Sequence, residues 1–139
     1  MGDRRASDEY YVLGLCDKVL REQSERQKRF DWLRGDLSPR TGRRSALPVD
    51  GYWPEANIAV EFHERQHTDA VPLFDARQTV SGVTRREQRR LYDARRAEAL
   101  ADHDIRLVVI PQTAFTLKRR RIDRDPQLDC EIARRLLMR

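Results

Sequence analysis

From Ser7 onward, apolar residues recur at three and four positions (Val12, Leu15, Cys16, Val19, Leu20), which predicts an amphipathic helix capped by Ser7 and running to about Gln27. The period then shortens. Phe30 and Trp32, with their neighbours Asp31 and Leu33, predict a short strand closed by Gly35, and Gly35 to Ala46 (GDLSPRTGRRSA) reads as a basic loop. Leu47 to Trp53 and Asn57 to Phe62 predict a β-hairpin around the turn residues Pro54 to Asn57. His63 to Val83, broken by Pro72 and Gly82, reads as a long irregular connection. Thr84 to Glu87 form a capping box opening a cationic helix to about Asp102, with Leu91, Ala94, Ala97, Glu98 and Leu100 as its periodic positions. Ile105 to Ile110 (IRLVVI) is the plainest strand. After the basic run Lys118 to Arg121, Asp125 and Pro126 open a last helix with Leu128, Ile132, Leu136 and Leu137 on one side. The order helix, strand, strand, strand, helix, strand, helix predicts an α/β fold: a mixed sheet flanked by helices.

The chain has 139 residues, 39% hydrophobic and 37% charged, enough for one core and one domain. The core is expected over residues 7–111, with a basic segment and helix over 112–139. A net charge of +5 rests on 28 Lys and Arg, of which only Lys18, Lys28 and Lys118 are lysine. Guanidinium groups suit a phosphate-bearing partner, although a GC-rich coding bias yields the same composition without one. Basic loop residues Arg43 and Arg44 and helix residues Arg89, Arg90 and Arg96 are the candidate phosphate contacts; a solvated cationic face is the plainer reading of the helical set. Two cysteines, Cys16 and Cys130, make no disulfide framework and read as small buried hydrophobes of a reducing, cytoplasmic compartment. No run approaches the ~20 apolar residues of a membrane span, and Met1 to Ser7 lacks a signal peptide's apolar stretch.

The register of the predicted hairpin carries the chemistry. A symmetric turn centred between Glu55 and Ala56 sets Asp50 opposite Glu61, with His63 on the same face as Glu61. Opposed carboxylates destabilise a sheet unless compensated. A divalent cation does this, since Mg²⁺ takes carboxylate oxygens and keeps room for substrate phosphate. A register slipped by one residue turns the same acids into a solvent-facing stripe.

The stretch LPVDGYWPEANIAVEFHERQH, residues 47–67, with the element order around it, resembles the PD-(D/E)XK nuclease superfamily, particularly its small restriction and very-short-patch-repair-like members. Asp50 matches the motif Asp and Glu61 the motif Glu. The resemblance extends to Glu9 on the first helix, to the pair Gln66 and His67, and to Asp93 and Arg96 on the second, covering about residues 7–111. It implies a restriction-endonuclease-like core and Mg²⁺- or Mn²⁺-dependent phosphodiester hydrolysis, with DNA as the expected partner and RNA as the other nucleic acid. Asp50 and Glu61 would hold the metal, His63 or Gln66 would position the attacking water, and Glu9 would add an outer or second-metal carboxylate. His63 stands where the motif has Lys, and neither Phe62 nor Glu64 supplies a cation. This departure opens a second reading, a catalytically silent nuclease-fold module that binds nucleic acid. A dimer through Leu128, Ile132 and Leu136 would serve double-strand cleavage, although covering the sheet is that helix's ordinary role.

His63 to His67 also spell HExxH, the zinc-protease signature, in which two His one helical turn apart bind Zn²⁺. That motif needs a buried helix. Here it follows a predicted strand, Arg65, Gln66, Thr68 and Asp69 are polar, and Asp69, Asp75 and His103 compete as third ligand. Zinc metalloprotease therefore ranks behind nuclease.

Overall fold

The computed structural model describes residues 7–64 and 84–139. Strands β1 (Glu25–Leu37), β2 (Arg44–Trp53), β3 (Ile58–His63) and β4 (Arg106–Pro111) form one sheet in that order, antiparallel through β3 and parallel between β3 and β4. Helices α1 (Asp8–Leu20), α2 (Arg85–Asp102) and α3 (Pro126–Leu137) flank it. A two-stranded hairpin, β5 (Leu117–Lys118) with β6 (Arg121–Ile122), precedes α3. The chain is thus α/β with a mixed four-stranded sheet, as its patterning predicts. No described helix is long and apolar enough to cross a membrane.

The sheet separates two apolar layers. Val12, Cys16 and Val19 of α1 and Ala133 and Leu137 of α3 pack on Trp53, Val60, Phe62, Val108 and Ile110. On the opposite face Leu100 of α2 packs with Leu33, Leu47, Val49 and Ala59. α3 therefore covers the sheet, with Leu137 fully buried and Ile132 and Leu136 against the core, while Leu128 is exposed. Cys16 is buried, which pushes its thiol up to about 12, whereas Cys130 is only half-buried. The predicted caps form: Ser7, Thr84 and Asp125 side chains accept from the backbone N–H of Tyr10, Glu87 and Leu128.

Three expectations are corrected. The first helix stops at Leu20, where Arg21 takes a left-handed φ of 55°, so Glu25 to Gln27 are strand and β1 is far longer than the pair of aromatics suggested. The cause is Asp17, which accepts from Ser24 N (3.0 Å), Arg26 Nη2 (2.7 Å) and the buried Trp53 indole (2.9 Å), turning the chain back along β2. Secondly, half of the predicted loop is ribbon: β1 and β2 close through a turn over residues 38–43 in which Ser38 and Arg43 are hydrogen-bonded and Gly42 has a φ of 68°. Gly35 in this ribbon lies so close to Tyr92 that a Cβ would sit 2.8 Å from its hydroxyl. Thirdly, Leu91, Ala94, Ala97 and Glu98 of α2 face solvent, and the inward stripe is Tyr92, Arg96, Ala99 and Leu100.

Asp17→Ala should lower stability by about 2–4 kcal/mol, because it removes the acceptor of three donors, one a fully buried indole. Urea denaturation measures this, and Asp17→Asn should lose roughly half as much.

Candidate active site

Register pairs Gly51↔Val60, Tyr52↔Ala59 and Trp53↔Ile58 follow the alignment the turn predicts and stop one step short of Asp50 and Glu61. The main-chain ladder ends there. Asp50 Oδ2 accepts from the Phe62 N–H at 2.7 Å, so a side chain takes over where the two backbones part. The facing of β2 changes at the same place: Leu47 and Val49 pack on the α2 side but Trp53, of the same parity, packs on the α1 side. Asp50 is half-buried within this crossover, and Glu61 is only 8% exposed.

The Asp50 and Glu61 carboxyl groups are neighbours. Burial first, then hydrogen bonding to Asp50 and the Asp50 charge, push Glu61 well above the usual carboxylate range, which favours a proton on the pair; Arg96 opposes the shift and Asp93 adds to it. Arg96 Nε lies 3.0 Å from Glu61 Oε1, but its hydrogen is directed to the Pro48 carbonyl at 3.1 Å. The contact is close but carries no hydrogen bond, and Oε1 is left buried with no hydrogen-bond partner. Arg96 also pairs with Asp93 at 3.2 Å. It is thus drawn into the site, whereas Arg89 and Arg90 are exposed on α2 and Arg43 and Arg44 at the ribbon's end.

Glu9 joins the cluster through a residue the sequence did not single out. Gln27 lies in β1 between the pairs Arg26↔Gly51 and Lys28↔Val49, hence opposite Asp50. Its Nε2 is 3.4 Å from both Glu9 Oε2 and Asp50 Oδ1. Read as the end of the first helix, Gln27 carried no signal of this role. His63 ends β3, two residues beyond Glu61 on the same face, half-buried and in register with Pro111. The first residue of the HExxH stretch is thus in a strand, and the stretch from residue 65 on lies outside the described residues; of the third-ligand candidates, His103 stacks on Trp32 at 3.7 Å. Gln66, His67, Asp69 and Asp75 lie outside the described residues.

Among the described residues no three or more His, Cys, Asp and Glu side chains gather as a ready metal cage. Two neighbouring carboxyl groups, one oxygen of which is buried and unsatisfied, are nonetheless suited to a hard cation that keeps most of its water. No family model, curated protein or solved structure matches the chain.

An acid harder to ionise in the native protein than in the unfolded chain favours folding at low pH. That contribution is complete below the unfolded carboxyl pKa of about 4.3 and is lost as pH rises through the native value. In EDTA, urea denaturation from pH 5 to pH 8 should show stability falling by up to about 1.4 kcal/mol per pH unit, and Glu61→Gln should remove this slope.

Proposed function

We propose that this chain is a metal-dependent phosphodiesterase of restriction-endonuclease-like fold that cleaves nucleic acid, with DNA as its substrate. The observation that carries the reading is the Asp50–Glu61 pair: two neighbouring carboxyls where β2 and β3 part, with an unsatisfied buried oxygen beside a guanidinium. Hydrophobic packing gives no reason to bury such a pair.

Asp50 and Glu61 would hold Mg²⁺ or Mn²⁺. When bound, such an ion polarises a phosphate oxygen and lowers the pKa of its water. Asp50 is held for this task from both oxygens, by the Phe62 N–H and the Gln27 amide, so its orientation precedes binding. Glu61 gives up its proton on binding, which makes affinity pH-dependent. Arg96 keeps positive charge beside Glu61, where its guanidinium would face the scissile phosphate's charge. His63, in the place of the motif lysine, orients the attacking water and accepts its proton. Exposed Arg43, Arg44, Arg89 and Arg90 contact the flanking backbone.

One observation favours a second reading. Arg96 already brings a cation to Glu61, and the motif lysine is absent, as a silent nucleic-acid-binding module would have it.

Supercoiled plasmid with Mg²⁺ or Mn²⁺ separates the two. Wild type should nick it, and Asp50→Ala and Glu61→Ala should each lower the rate at least about 100-fold while retaining DNA binding. Binding by all three proteins with cleavage by none identifies the silent module. Calorimetric titration with Mn²⁺ near pH 7 in two buffers of different ionisation enthalpy should report about one proton released per ion, and Glu61→Gln should abolish that release.

A further inference from the structure

Gln27 is the one residue of the cluster whose backbone is out of keeping with its element. The β1–β2 register runs unbroken from Arg26↔Gly51 to Lys28↔Val49, yet Gln27 between them has a φ of 50°, the left-handed region that a residue with a Cβ enters only when its surroundings hold it there. Its side chain ends between two carboxylates. Both neighbours of the amide are acceptors, so it is the nitrogen, with its two hydrogens, that faces Glu9 and Asp50 at 3.4 Å each.

A cation shared by Glu9 and Asp50 would have to touch an oxygen of each at about 2.1 Å. The Gln27 amide nitrogen, within 3.4 Å of both carboxylates, holds the place between them as a neutral donor.

We infer that Gln27 is a positioning residue that stands where a second cation would bind, so that the centre takes one divalent ion at Asp50 and Glu61 and Glu9 supports it from outside through the amide. This inference rests on the metal-dependent reading of Asp50 and Glu61 and fixes its stoichiometry. A third carboxylate at position 27 would convert the neutral wedge into a ligand and open a second site between α1 and β2. Glycine there removes the amide without opposing the positive φ, so Gln27→Gly folds readily and serves as the companion variant.

Mn²⁺ binding followed by electron paramagnetic resonance of the free ion counts the sites directly. Wild type and Glu9→Gln should each bind one Mn²⁺ with affinities within threefold of each other, and Gln27→Glu should bind two, the second lost in the double variant Glu9→Gln/Gln27→Glu. In Gln27→Gly the Glu9→Gln substitution should weaken binding at least fivefold, because Glu9 is no longer held apart. A merely structural Gln27 leaves one site in every variant and Glu9→Gln without effect in all, which overturns the inference. Two ions on wild type, one of them lost in Glu9→Gln, overturn it as well but leave the metal-dependent reading standing. No Mn²⁺ bound by wild type overturns both.

Discussion

A buried carboxyl group beside a half-buried one is tolerated only if a proton or a cation offsets their charges, and most of this molecule's architecture bears on how that requirement is met. Asp50 and Glu61 come from adjacent antiparallel strands whose short turn fixes their alignment. The strands separate at the pair, the Asp50 carboxylate accepts the first backbone N–H that the ladder leaves unpaired, and β2 changes the layer it packs against. The site is therefore a discontinuity of the sheet, held in place by Trp53 and Val60 on one side of it and Val49 and Ala59 on the other.

Each flanking element delivers one group to this discontinuity. α1 brings Glu9, β1 brings Gln27, and α2 brings Arg96 on a stripe that otherwise carries Tyr92, Ala99 and Leu100. Polar contacts reinforce the second apolar layer. Arg96 donates to Pro48 O, Arg95 pairs with Asp36 at 2.7 Å, and Tyr92 Oη accepts from Asp36 N at 3.0 Å. α2 is thereby fastened to the β1–β2 ribbon by the same kind of interaction that ties it to the acidic pair. A change of charge at Glu61 is felt along this helix through Arg96.

The sequence made the β2–β3 hairpin legible because Pro54 to Asn57 gives a symmetric turn and the apolar run Ile58 to Val60 sets the strand, so the meeting of two acids eleven positions apart followed from counting. The caps at Ser7, Thr84 and Asp125 were equally open to reading, since each rests on a local side chain. What escaped depends on distant partners. Residues 25–29 show no period of two, and only Asp17 and the pairing with β2 make them a strand. Arg96 looked like a solvent-facing cation because the propensity of arginine favours that, and its inward turn is imposed by Glu61 and the Pro48 carbonyl. Gln27 had no signature, since its role arises from a left-handed backbone at one point of a regular register.

Infrared difference spectroscopy tests the central claim most directly, because a protonated carboxyl group absorbs apart from a carboxylate. The metal-free protein near neutral pH should show the C=O band of a buried carboxylic acid, absent in Glu61→Gln and lost from wild type when Mn²⁺ is added as a new carboxylate band appears. A spectrum with no such band, or one that Mn²⁺ leaves unchanged, would contradict the account.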